Sequence, residues 1–156
     1  MSKQDKTDRT TGFLKKNLET MPPKKRNEYL NQKLRGIIQY AYRHSKAIKN
    51  KLDFVGMKTK DFRSVKDLER LPTTKKAELV ELQKKNPPFG GFEGIPINQM
   101  RRIYVSPGPI LEPGEMEYTE LGWAQGMYAG GFRPGDIAIN TFSYHMVPFA
   151  HMVDNS

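Results

Sequence analysis

Apolar residues return every three or four positions between residues 30 and 42, at Leu30, Leu34, Ile37, Ile38, Ala41 and Tyr42. That spacing lays them along one side of a helix, with Lys33, Arg35 and Arg43 outside the stripe, and predicts a long amphipathic helix from about Asn27. Residues 1–22 show no such period and run into Met21-Pro22-Pro23, so they predict a mobile basic lead-in, with order beginning after Pro23. Ser45 is placed to cap a second, short helix through Ile48 and Leu52 that Gly56 closes. Ser64 with Asp67 three residues on has the form of a capping box, and Pro72 stops the helix it starts. Thr74 is the expected cap of a further helix carrying Leu79 and Leu82, which ends at Asn86-Pro87-Pro88.

Beyond Pro88 the pattern changes. A Phe89-Gly90-Gly91-Phe92 turn leads to a predicted strand over Arg102–Val105, and the strand runs into a loop with three prolines and two glycines within RRIYVSPGPILEPGEMEY, residues 101–118. Thr119 is placed to cap a helix bearing Leu121, Ala124, Met127 and Tyr128, with Gly130-Gly131 as its left-handed exit. Arg133-Pro134-Gly135-Asp136 then reads as a turn and Ile137-Ala138-Ile139 as a buried strand. Strand, loop, helix, turn and strand make a βαβ unit. The fold class expected is therefore mixed α/β, with a lead-in over 1–22, a helical region over 23–88 and the start of a sheet subdomain over 89–156.

Composition and charge narrow the chemistry. The 156 residues are enough for one domain with a core, although mean hydropathy is −0.71 and 37% of residues are hydrophobic, so polar surface is extensive. With no cysteine, disulfides and thiolate metal sites are excluded. The charged N-terminus has no apolar stretch suited to export and no window approaches a membrane span, so the expectation is a cytoplasmic protein with no membrane partner. The net charge of +9 is unevenly placed: residues 1–85 hold 23 Lys and Arg against 10 Asp and Glu, and residues 86–156 hold 3 against 7. A basic helical half can be an electrostatic footprint for nucleic acid or an acidic partner. Here the charges spread over several helix faces without an interleaved aromatic platform, which favours a solvated surface over nucleic-acid binding.

The loop after the predicted strand occupies a place where backbone N–H groups often cradle phosphate, and Gly108 would allow close approach. Its residues oppose that chemistry. Pro107, Pro109 and Pro113 have no N–H to donate, no Lys or Arg lies between Arg102 and Arg133, and Glu112 and Glu115 would repel an anion. His145 and His151 are six apart, which does not fit a helical metal pair, so no metal site is expected. Ser143 and His145 lack the Gly-x-Ser-x-Gly elbow of a hydrolase nucleophile. Phe142, Tyr144 and Phe149 form an aromatic run of the kind found in cores, and Trp123 and Tyr128 sit at helix spacing as packing residues.

AYRHS at 41–45, LPTTKKAEL at 71–79, NPPFGGF at 86–92 and GFRPGDIAINTF at 131–142 resemble, in order and spacing, the N-terminal region of phenylacetate-coenzyme A ligases, within the adenylate-forming enzyme superfamily. The resemblance implies an AMP-forming ligase of aryl or acyl acids. In that family a Ser/Thr/Gly-rich loop with a lysine grips ATP with Mg, an acid carboxylate attacks the α-phosphate, and the acyl group passes to coenzyme A. Ser106 and Gly108 fall where the family has its Ser and first Gly, whereas Pro109, Ile110, Leu111 and Glu112 stand where its threonines, glycine and lysine would be. The phosphate loop is thus degenerate by resemblance, with no catalytic residue in this chain and no cofactor expected to bind it tightly alone. The same likeness places Tyr144, His145 and Phe149 along the acid pocket. It also implies an incomplete N-terminal part, because the family's later nucleotide motifs and C-terminal domain would lie beyond residue 156, and it leads us to expect self-association or a completing chain. The alternative expectation is a noncatalytic module that binds nucleic acid or an acidic partner through the basic helices.

Overall fold

The computed structural model describes residues 8–114 and 122–154. Six α-helices are present among them: α1 (Lys16–Glu19), α2 (Pro23–His44), α3 (Lys46–Phe54), α4 (Lys76–Lys85), α5 (Trp123–Ala129) and α6 (Phe149–Asp154). Short 3₁₀ turns at Thr59–Asp61, Val65–Arg70 and Ile97–Gln99 link them to two strands, β1 (Arg102–Ser106) and β2 (Ile110–Gly114). The mixed helix and strand class follows the sequence expectation.

Pro23 opens α2 where its missing N–H costs nothing, and the apolar stripe does the rest. Leu34 and Ile38 turn inward against Leu52 of α3 and against Met57 and Phe62 in the segment that follows. Leu52 and Phe62 are wholly buried, each contributing about 1.5–3 kcal/mol by leaving water. Ser45 ends α2 and starts α3: its N–H donates to the Ala41 carbonyl at 2.8 Å, and its hydroxyl accepts from the Ile48 N–H at 3.4 Å. Gly56 then closes α3 at a φ of +66°. The Asp67 carboxylate accepts from the Ser64 N–H at 2.8 Å, as the capping pattern predicts, but the turns it starts are 3₁₀ rather than α. Thr74 does not cap α4. Its hydroxyl is taken by the Lys51 ammonium, and Glu78 instead accepts from the Lys75 N–H at 3.2 Å.

The Phe-Gly-Gly-Phe turn locks the helical region to the rest. The Gly91 carbonyl accepts from the Ala47 N–H at 2.8 Å and from the Ser45 hydroxyl at 2.9 Å, while Phe89 fills the space beneath. Gly91 has a φ of +81°, and a Cβ there would stand 2.9 Å from the Asn86 side-chain nitrogen. Glycine is required on both counts.

The βαβ expectation needs correction. β1 is where the sequence places it, but its partner is β2, antiparallel and immediately following, with Ser106 opposite Ile110 and Arg102 opposite Gly114. The expected loop is therefore a hairpin whose turn is only Pro107-Gly108-Pro109. Ile137-Ala138-Ile139 forms no strand: Ile137 is 96% and Ile139 86% exposed. A strand needs a ladder, and the other edge of β1 is met further on, where the Val105 N–H donates to the Met146 carbonyl at 2.8 Å. The expected cap Thr119 and helix residue Leu121 lie outside the described residues, and α5 begins after Gly122, itself at a φ of +78°. Its left-handed exit is Gly131 at +96°.

Residues 8–11, within the described part of the lead-in, are tied to the turn after α5. Arg9 pairs with both Asp136 carboxylate oxygens, and its guanidinium also donates to the Gly131 carbonyl at 3.1 Å. Arg133 stacks 3.8 Å from the Tyr128 ring centre and donates to the Thr11 carbonyl at 3.1 Å. Among the described residues no helix is long and apolar enough to cross a membrane.

Candidate functional site

Two regions bear the sequence-derived site residues, the hairpin turn and the aromatic segment that follows residue 140. At the turn, Gly108 is exposed with a φ of +133°, a conformation that strains any side chain. Ser106 is buried, and its hydroxyl donates across the turn to the Ile110 carbonyl at 3.5 Å. Gln83 of α4 completes the closure. Its amide oxygen accepts from the Leu111 N–H at 2.9 Å, and its amide nitrogen donates to the Leu111 carbonyl at 2.8 Å. The carboxamide thus pairs with the outer edge of β2 as a neighbouring strand would. Sequence reasoning missed Gln83 because a single glutamine on a helix carries no signal of what stands opposite.

The consequence for phosphate chemistry is direct. Three of the backbone positions from 106 to 113 are prolines, the Leu111 N–H is engaged by Gln83, and the serine hydroxyl serves its own hairpin. A phosphate cradle needs several convergent N–H groups directed at one point. Glu112 adds a carboxylate to the same wall. β2, α4 and the Phe-Gly-Gly-Phe turn instead enclose an open cleft of about 560 Å³, walled by Leu79, Phe89, Phe92, Ile110, Leu111 and Pro113. Thr74, Lys76, Glu93 and Glu112 supply its polar groups.

The aromatic segment packs on the other edge of β1. Tyr144 is 48% exposed; its ring meets the His151 ring edge-on at 5.1 Å, and His151 lies 5.7 Å from the buried Tyr104 ring. The Tyr144 hydroxyl donates to Asp154 at 3.1 Å. Loss of surrounding water and that carboxylate together raise its pKa above the ordinary tyrosine value. Phe149 packs edge-on against Phe142 at 4.6 Å and against Trp123 at 5.1 Å. His145 is exposed. Tyr144 and Phe149 thus belong to neighbouring ring clusters joined through α6, and His151 and Arg102, whose side-chain nitrogens approach to 3.3 Å, join them. Sequence reasoning gives Arg102 no site role and considers His151 only as a metal partner of His145. Among the described residues no group of three or more His, Asp or Glu side chains is placed to hold a metal ion.

Comparison with known proteins agrees with this architecture. The chain is 31% identical over 134 residues to the phenylacetate-coenzyme A ligase of Thermus thermophilus, covering 81% of this chain and 29% of that protein. It is 33% identical over 89 residues to the phenylacetate-coenzyme A ligase of Escherichia coli, covering 57% of this chain and 19% of that protein. The chain thus spans less than a third of the length of these relatives. A crystal structure of 2-hydroxyisobutyryl-CoA ligase in the postadenylation state with 2-HIB-AMP superposes with a TM-score of 0.78 at 25% identity, over 85% of this chain and 29% of that one. The same ligase with 2-HIB-AMP and CoA in the thioesterification state gives a TM-score of 0.73 at 26% identity, over 88% of this chain and 30% of that one. No protein-family model matches the chain.

Proposed function

We infer, from a chain that in sequence and fold is a relative of the N-terminal region of the phenylacetate-coenzyme A ligases, that it supplies the N-terminal part of an AMP-forming acid:coenzyme A ligase architecture in which the phosphate-loop position no longer grips nucleotide. One observation carries the second half of this statement: Leu111, at the heart of that position, has both backbone groups paired with the Gln83 carboxamide. The prolines on either side and the carboxylate of Glu112 support it, since a triphosphate would meet few donors and a like charge. Ser106 and Gly108 keep the place of the family's loop without its chemistry.

The acid side of the reaction is assigned to the aromatic segment. Tyr144, His145 and Phe149 border the acyl site in a complete ligase, where ring faces would orient an aromatic or branched acid while a few polar groups fix its carboxylate. ATP with Mg and coenzyme A are the co-substrates of such a ligase, and on this proposal none binds tightly to this chain alone. Exposed Ile137 and Ile139 favour contact with further sheet, from a completing chain or a second copy. The test of the whole proposal is ATP–pyrophosphate exchange with the chain, Mg and a panel of aromatic and short branched acids. Exchange at background is expected throughout, and acid-dependent exchange above background would overturn the inactive-loop proposal.

A further inference from the structure

We propose that the exposed side of α2 docks an acidic amphipathic helix of a partner protein, seated along Leu30, Lys33, Ile37, Tyr40 and His44, with Gly36 beside them as the point of closest approach. Those residues recur three or four apart, the spacing that lets one helix lie along another. They form a second seam beside the one that carries Leu34 and Ile38 into the core. Ile37 is 58% exposed, and Leu30 and Tyr40 are exposed as well. Gln32, Lys33, Gly36, Ile37 and Tyr40 line a groove of about 470 Å³ on this side. The proposal stands apart from the ligase proposal, because α2 carries none of the site residues that one uses.

Gly36 is the residue that points to a partner. Glycine in a helix interior is destabilising relative to alanine, and the chain's own packing does not require it here, since a Cβ at this position meets no atom within 4 Å. The missing side chain leaves room for a second helix to approach closely. The groups around it are already held. The Tyr40 hydroxyl donates to the Gly94 carbonyl at 2.8 Å, the Tyr40 ring lies 4.4 Å from the His44 ring, and the Lys33 ammonium sits 5.7 Å from the centre of the Tyr29 ring. Docking therefore immobilises little that is not already placed. Charge fixes the sign of the occupant. α2 holds Lys24, Lys25, Arg26, Lys33, Arg35 and Arg43 against one acid, Glu28, so the same helix of a second copy is repelled while glutamates flanking an apolar seam are attracted. Leu30 and Ile37 within the seam match the side chains of a helix and offer nothing to the phosphates of a nucleic acid. Lys33 at its middle separates it from the wholly apolar face that a helix lying on a membrane buries.

Fluorescence anisotropy of the full chain with a labelled peptide of about three heptads, leucine at its a and d positions and glutamate on both flanks, tests the proposal against the same peptide with lysine flanks. The glutamate peptide should bind saturably in the micromolar range, and the lysine peptide at least about tenfold more weakly. Gly36→Gln places a side chain in open space and removes a glycine from the helix interior, so the thermal midpoint should stay or rise while the glutamate peptide loses at least about tenfold in affinity. Ile37→Asn, an uncharged change at an exposed position, should weaken it at least about fivefold, which keeps the test open if Gly36→Gln alters the fold. Absence of saturable binding below the millimolar range, equal affinity for the two peptides, or wild-type affinity in both variants would each overturn the proposal. So would a DNA duplex or phosphatidylserine vesicles bound more tightly than the peptide and weakened by Gly36→Gln, which would assign this side of α2 to that class of partner instead.

Discussion

Replacing Gln83 with leucine removes both hydrogen bonds to Leu111 while keeping a side chain of similar length on α4. Their lengths of 2.8 and 2.9 Å are ordinary for strong N–H to O bonds, and both groups are part-buried. A neutral hydrogen bond contributes about 0.5–1.5 kcal/mol net, so the pair should be worth roughly 1–3 kcal/mol. Leucine leaves a donor and an acceptor of β2 facing an apolar cleft, which pushes the loss toward the upper end of that range. Urea unfolding followed by circular dichroism measures the loss, and amide hydrogen exchange locates it. The Leu111 amide should exchange faster in the variant, while amides of the α2–α3 core should keep their relative protection. An unchanged midpoint together with unchanged Leu111 exchange would refute the claim that Gln83 closes this edge.

Other outcomes follow from the same structure. Leu52→Ala, at a fully buried core position, should cost about 2–5 kcal/mol of unfolding free energy in the same assay. Gly91→Ala forces a side chain into a φ of +81° and toward Asn86, so a loss of at least about 1 kcal/mol is expected, with near-wild-type stability as the contrary result. Arg9 and the Arg133 N–H hold the Asp136 carboxyl down to about 2, and bonds from Thr10 and Thr11 hold Asp8 at about 2. Both folded pKa values lie below the ordinary 3.8, so this attachment contributes fully above about pH 4 and is lost as pH falls through about 2. NMR shifts of residues 8–12 followed between pH 5 and pH 2 would reveal it, and shifts unaltered by Asp136→Asn would contradict it. In a full-length ligase carrying this segment, Tyr144→Ala should change acid preference more than nucleotide affinity, and an unaltered acid profile would assign Tyr144 to packing alone.

The helical half was legible because its signals are local. Helical spacing marked α2, Ser45 and Gly56 marked the ends of α3, and Asp67 sits where the capping pattern puts it. The hairpin was not legible for a physical reason: prolines and a glycine in SPGPILEP describe a turn equally well whether the chain leaves the sheet or doubles back. β2 tolerates Pro113 opposite Ile103 at the edge of a two-stranded pair. Ile137 and Ile139 have strand residues without a ladder, and residue type cannot supply the neighbour that pairing requires. At the site, the missing donors of the loop could be read directly from its prolines. Gln83 could not, since its role depends on what the fold brings opposite it. The segments that carried the family resemblance prove to be joints: Ser45 binds Gly91, Lys51 binds Pro72 and Thr74, and Arg133 and Asp136 anchor the arm at residues 8–11. They speak for architecture.

Isothermal titration of the chain with ATP in the presence of magnesium tests the central claim most directly. A hairpin whose serine closes its own turn, whose Leu111 is paired with Gln83 and whose prolines lack donors should give only heats of dilution, and the Gln83→Leu variant should do the same, because freeing one N–H does not build a cradle. Saturable binding of ATP by the wild-type chain at micromolar concentrations would contradict the account.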